Sequence, residues 1–362
     1  MIYKLPCIIS KNAIYNQILP ELTQRYRYLK KGDRTDMSLV QTTRIDANAI
    51  PLFMGMLNIL YKKTENPVYL ELAYGSDLIG FLDTISFFNI LNYKGLGIID
   101  YDEDCVGGYP KMQTSLHKVD YRYPIMDYEN MPIEKKEEIR DCLSEKLKYE
   151  VTAKFIDVLN CQGIIKSDEE RDVLSKTITE ILLNSQLYSL NMSYIYLQNG
   201  IIFNNKKKGY VLTVADIGKS FYESLSKKIE NEDVYSQEDR KKFYQYAKSL
   251  GINLKEEINF LSIMEALYYS QYYSKVKNRA MNLYGLKNLL AISHANLRIH
   301  QSNREVVFTY NKCHACKDRD IMHCVKCLWQ RNNKDDQKFS PIKTYPIAMA
   351  GVHIDVEFIL EK

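Results

Sequence analysis

The sequence is short of three things, and each shortage excludes a class of protein. Long apolar runs are missing: the longest near the N-terminus covers residues 50–61, well under the roughly 20 residues a bilayer-crossing helix needs. Charge of one sign is missing too, since 49 Lys and Arg against 45 Asp and Glu leave only +4. That is too little to argue for a nucleic-acid partner. A leader-like start is also missing, because the first residues carry one lysine, Lys4, and a brief apolar run at 5–9. A cytoplasmic protein with no membrane association is expected. Tryptophan occurs once against 29 tyrosines, a bias that composition alone does not explain.

What is present describes an ordinary globular chain. Hydrophobic residues at 46% and charged residues at 26% supply material for sizeable cores. A length of 362 residues exceeds a usual single domain and suits two. Eight cysteines in a reducing compartment are expected to be thiols, so clustered ones point to a metal before a disulfide.

Along the chain, residues 15–29 have a helical pattern ending in a basic, aromatic stretch at 25–31. Cations and rings of this kind can hold phosphates and bases. The weak net charge favours a solvated helix end with its cations near the C-terminus. From 38 to 102 the pattern alternates: extended at 39–43, helical at 47–61, extended at 68–72, helical at 78–91 and extended at 95–99. Such alternation argues a small α/β layer. Residues 102–130 are a loop-rich connection, and Pro132 then opens a long charged helix running to 159.

The most informative stretch is 167–225. A Ser167-x-x-Glu170 capping box opens a helix with Val173, Leu174, Ile178, Ile181 and Leu182 at helical spacing. Glu180 and Asn184 therefore share one face. Two strand-like runs follow, 193–198 and 209–215, separated by the turn-prone segment 204–209. The second ends in Asp216-x-Gly218. A carboxylate, a side-chain amide and a glycine turn suit a Mg-nucleotide: Asp216 can accept from an exocyclic amino group, Asn184 can hold the metal, and Gly218 lets backbone approach a ring.

The order Glu180-x-x-x-Asn184, then Asp216-x-Gly218 at a strand end, resembles the N-box and first glycine box of the GHKL ATP-binding fold. That superfamily includes gyrase B, MutL, histidine kinases and the serine kinases that act as anti-sigma factors. The resemblance implies an α/β sandwich over 131–362, a mixed sheet with helices on one face, that binds ATP and Mg²⁺. It makes Glu180 the base for any hydrolysis and a lid of the segment 274–279, where Lys275, Lys277 and Arg279 would neutralise phosphates. It also implies closing elements at 283–294, 296–299 and 305–310, with a last strand at 352–360. The chain departs from the family's glycines at three positions: Ser220 replaces the second glycine of the first box, and Ala280 and Asn282 stand where a phosphate-wrapping pair is expected. Of these, Ser220 and Asn282 remain candidate nucleotide contacts, and Cβ atoms there restrict close backbone approach.

Residues 36–103 resemble a STAS-like domain through the aromatic pair Phe87 and Phe88 ahead of Leu91. The resemblance puts Ser76 near the place of a phosphorylatable serine, although a serine before Asp77 is also good N-cap chemistry. The expected organisation is thus a STAS-like domain with helix and linker at 1–130, followed by the ATP-binding domain at 131–362.

A second constellation is Cys313-x-x-Cys316 followed by Cys324-x-x-Cys327, half the cysteines in fifteen positions. Two such pairs present four thiolates to a tetrahedral Zn²⁺, with no position open to substrate. His314 or His323 can replace one thiol, and a disulfide pair, a redox switch or unligated thiols are the alternatives. This knuckle falls within a segment, 311–346, inserted before the last strand, where it would present a surface to a protein or nucleic-acid partner. The expected function is an ATPase or anti-sigma-like serine kinase that controls a protein partner in bacterial signalling or defence, with a homodimer possible. The alternative is a catalytically inactive interaction module acting through the knuckle, to which Ser220 and Ala280 point. No histidine precedes the ATPase region on a helix of the kind that a histidine autokinase phosphorylates.

Overall fold

Short, buried strands begin the chain. In the computed structural model, Tyr3–Lys4, Thr35–Ser38, Val68–Glu71 and Ile99–Tyr101 pair in parallel, in that order, as a four-stranded sheet. The structure describes residues 2–107, 118–122, 128, 131–188, 193–202, 207–231, 235–277, 295–309, 320–333 and 340–359. Strands of two to four residues contribute few ladder bonds, so the sheet depends on what covers it. Met37, Val68 and Leu70 are fully buried. The helix Ile50–Thr64, with proline in its first turn, is buried at most of its positions. A helix apolar all round must be covered all round. This one touches strand 68–71 on one side and the strands Ser193–Ile202 and Lys207–Asp216 on the other.

Those last strands belong to a second, five-stranded sheet. Its order is Ala295–Thr309, Ile342–Ile359, 207–216, 193–202, Lys118–Arg122, and every pairing is antiparallel. The chain is therefore an α/β protein that combines a parallel and an antiparallel sheet. Period-2 alternation divides the larger sheet's residues between two cores. Ile195, Leu212, Val214, Ile354 and Val356 pack with Leu174, Ile178, Ile181 and Phe260 of the helices Asp168–Tyr188 and Ile258–Lys277. Tyr194 and Tyr196 join the core of the N-terminal region instead. Among the described residues no helix is long and apolar enough to cross a membrane.

Several elements differ from the sequence reading. The strand expected at 39–43 is a turn beyond strand 35–38, with Thr42 N–H donating to Leu39 C=O. The helix expected over 78–91 is two, Asp77–Thr84 and Phe87–Leu91, broken at Ser86, whose φ of 63° is left-handed. The strands expected at 296–299 and 305–310 are one, 295–309, with register shifts at Gln301 and Ser302. The final strand begins at Ile342 rather than 352 and so takes in part of the expected insertion. Strand 118–122, within the expected linker, pairs with strand 193–202. The expected helix at 283–294 lies outside the described residues.

Candidate functional site

The site begins at the start of helix 168–188. Ser167 Oγ accepts from Glu170 N–H at 3.2 Å, and Glu170 Oε2 accepts from Lys166 N–H at 2.6 Å. Asp168, Glu169 and Glu170 fill the first turn, where the helix dipole favours negative charge. With the start fixed and one stripe packed on the sheet, the phase of the helix is set. Ile181, Asn184 and Ser185 then face a cavity.

Strand 207–216 ends on the opposite wall at Asp216. Its Oδ1 accepts from Gly218 N–H at 3.0 Å, an Asx-type turn, and from Val352 N–H at 3.3 Å on the neighbouring strand. Strand 342–359 comes this close because of Gly351. Its φ is +87°, and a Cβ there would lie 2.0 Å from the Asp216 carbonyl oxygen. Asp216 is thereby held from two sides by one oxygen.

The cavity between these elements is partly open to solvent. Its walls are mostly apolar, with Ile181, Val214, Leu225, Val352 and Ile354 among them; Asn184, Asp216, Lys219 and Ser270 supply polarity. An apolar lining with a few convergent polar groups is the usual make-up of small-molecule sites. Burial pushes the Asp216 carboxyl up to about 7, against the lowering effect of the Gly218 and Val352 amides. It is thus poised between acid and carboxylate near neutral pH.

The sequence-assigned residues divide into three groups. Asn184 and Asp216 both line the cavity, and Gly218 holds Asp216 through its N–H. Glu180 and Ser220 are not among the lining residues. Glu180 Oε2 accepts from Arg140 Nη2 at 2.6 Å, both side chains being largely buried. Ser220 caps helix Phe221–Asn231: its Oγ accepts from Glu223 N–H at 3.2 Å and donates to Glu223 Oε2 at 2.9 Å. Lys275 and Lys277 stand in the last turn of helix 258–277. Asn282 and Ala280 lie outside the described residues, as do Cys313 and Cys316.

Cys324 and Cys327 stand one turn apart on the helix Ile321–Asn332, whose N-cap is Asp320, accepting from Met322 N–H at 3.1 Å. Cys324 is fully buried and Cys327 partly so. Among the described residues no group of three or more His, Cys, Asp or Glu is arranged to hold a metal ion.

The sequence reading missed Lys219, Phe221, Ser224, Tyr269 and Ser270, which also line the cavity. Lys219 sits beside Gly218 and was within reach of the motif. Tyr269 and Ser270 come from a helix with no polar signature of its own.

It also missed a buried polar cluster on the other face of the larger sheet. Lys11 Nζ lies 2.6 Å from Glu305 Oε2 and 2.8 Å from Asp355 Oδ2. Thr213 Oγ1 donates to Asp355 at 3.0 Å, His353 Nε2 stands 3.2 Å from the same carboxylate, and Tyr15 Oη meets His300 Nδ1 at 2.6 Å. Comparison of the chain with protein-family models, with curated proteins and with solved structures finds no match.

Proposed function

We propose that the cavity binds an adenine nucleotide, ATP with Mg²⁺, and that residues 131–362 are a GHKL-type ATP-binding sandwich behind a STAS-like unit. The observation that carries this reading is the convergence of Asn184 and Asp216 on one cavity, two residues picked out by motif order alone. In its ionised form Asp216 accepts from the 6-amino group of adenine, and the apolar walls take the ring out of water. Asn184 would hold Mg²⁺ through its amide oxygen, the metal neutralising phosphate charge when bound. Lys219 at the same cavity adds a cation.

Binding without turnover is the second reading, and the Glu180–Arg140 pair favours it. A carboxylate held by a guanidinium at 2.6 Å is a poor base until the pair opens. Commitment of Ser220 to its helix cap points the same way. In either case the protein acts as a nucleotide-dependent regulator of a protein partner. Cys313, Cys316, Cys324 and Cys327 are proposed as a structural Zn²⁺ site supporting the partner surface. Metal analysis of the purified protein is expected to find one equivalent of zinc; a metal-free protein with four titratable thiols in this segment removes that part.

The test of nucleotide class is thermal unfolding with millimolar ATP·Mg or GTP·Mg. A ligand that binds only the folded state at 100 times its Kd stabilises by about 2.7 kcal/mol. ATP is expected to raise Tm by several degrees and GTP by much less, because a guanine ring turns an acceptor toward Asp216. No shift with either, or equal shifts, contradicts the adenine assignment.

A further inference from the structure

Asp216 and Ile217 are adjacent in sequence and belong to different cores. Asp216 lines the cavity. Ile217, 3% exposed, is packed into the core of the N-terminal region with residues of helix 50–64. Alternation along an extended chain is what sends the two side chains apart.

The helix carries its own mark of this contact. Gly55 lies in the middle of helix 50–64, where glycine costs roughly 1 kcal/mol relative to alanine. A Cβ on Gly55 would stand 2.9 Å from Ile217 Cγ2 and 3.7 Å from Met349 Cε. The helix backbone therefore rests directly on Ile217, with no side chain between them. From the strand side, a Cβ on Gly351 would stand 2.0 Å from the Asp216 carbonyl oxygen and 2.7 Å from Ile217 Cα. Gly351 thus packs on the Asp216–Ile217 peptide and Gly55 on the Ile217 side chain, one glycine from each region of the chain. Close-packed interiors pass a displacement on rather than absorb it.

We propose that the N-terminal region reads occupancy of the cavity through Asp216 and Ile217: a ligand held by the Asp216 carboxylate fixes the 216–218 turn, and the fixed turn tightens helix 50–64 onto the sheet. No residue of that helix lines the cavity, so its response reports coupling and not contact. This rests on the nucleotide reading for the identity of the ligand, not for the path. By reciprocity, loosening the helix weakens the ligand by the same factor.

Hydrogen exchange of the full chain tests it. ATP·Mg at saturation is expected to slow the amides of helix 50–64 at least fivefold. A Gly55→Val variant, which wedges the helix off Ile217, is expected to lose that slowing while binding ATP several-fold more weakly. Slowing confined to the cavity walls, with helix 50–64 unchanged, overturns the coupling and leaves the nucleotide reading standing. If ATP does not bind at millimolar concentration, the nucleotide reading fails and a ligand-free arm decides the coupling. Asp216→Ala frees the Gly218 and Val352 amides, and is expected to speed exchange in helix 50–64 severalfold while the remote helix Gln237–Ser249 is unchanged. No change in either helix, or equal loosening of both, overturns the proposal.

Discussion

Asp216 shows how one buried carboxyl sets a pH dependence. Its ordinary value is 3.8 and burial raises it to about 7. Between those values the folded chain holds a proton that the unfolded chain has lost. Stability therefore falls as pH rises through that window and levels off above it. Asp216→Asn removes the effect. Because the side chain keeps some surface at the cavity, we expect the variant to exceed wild type by about 1–2 kcal/mol near pH 8 and to match it near pH 4, as read by urea unfolding. ATP affinity runs the other way: the carboxylate is the accepting form, so wild-type binding weakens as pH drops below 7. Lys11 is the opposite kind of residue. Burial alone would lower its pKa, but Asp355 and Glu305 outweigh this and hold the ammonium charged. The same contacts hold Glu305 down at about 2 against burial, and Asp355 well below the carboxylate range. Lys11→Met takes the buried ammonium from Asp355 and leaves Glu305 with only Lys343 and Arg298, and is expected to cost about 3–5 kcal/mol in chemical unfolding; a loss under 1 kcal/mol contradicts the burial of the cluster. Asp216 and Asn184 were legible in the sequence because a motif spaces them. Lys11 and Asp355 lie 344 positions apart with no motif to link them, and only tertiary structure joins them.

At the scale of elements, local chemistry was readable where it is local. The Ser167 cap, Leu174, Ile178, Ile181 and Leu182 of the apolar stripe and the pairing of strand 207–216 stand as residue pattern suggests. Glu170, however, reaches back to Lys166 N–H and not to Ser167, so the capping box is incomplete. Elements whose limits depend on packing were not readable. Ser86 breaks an apolar helix with no glycine or proline to announce it. Strand 295–309 runs on through polar Ser302 and Asn303, because strand 342–359 pairs with both its halves across an irregular register. Ser220 reads as a damaged glycine box in sequence, while the structure gives it an ordinary reason: it caps helix 221–231. Ser220→Ala is accordingly expected to cost about 1 kcal/mol in stability and to leave ATP affinity within about twofold. A tenfold loss of affinity with unchanged stability would instead make Ser220 a ligand contact. Gly351→Ala tests the neighbouring strand. Its Cβ has no room beside Asp216 and its φ is +87°, so the variant is expected to melt several degrees lower and to lose the cavity ligand.

Over the whole molecule, the larger sheet is the shared wall of two cores. One face is apolar and meets helices 168–188 and 258–277. The other carries Tyr194 and Tyr196 beside the row of His300, Glu305, His353 and Asp355, all buried beneath the N-terminal region. A charged sheet face normally meets water; here Lys11 and Tyr15 cover it. Burial and the nearby Lys11 ammonium keep His300 well below its ordinary value of 6.5. It stays neutral when folded while the unfolded form protonates, so stability is lost as pH falls below about 6.5. The full chain is therefore expected to unfold in one transition. A chain lacking residues 1–107, which keeps strand 118–122, is expected to aggregate, since its sheet would present those rings and carboxylates bare; a monomeric, cooperatively folded fragment contradicts this.

The central claim, that Asn184 and Asp216 line a Mg-nucleotide site, is tested most directly by calorimetric titration of the full chain with ATP·Mg, beside the same titration of Asn184→Ala. Micromolar binding by wild type, abolished by the substitution in a protein that still unfolds cooperatively, is the expected result. No heat of binding at millimolar nucleotide, or equal binding by both proteins, contradicts it.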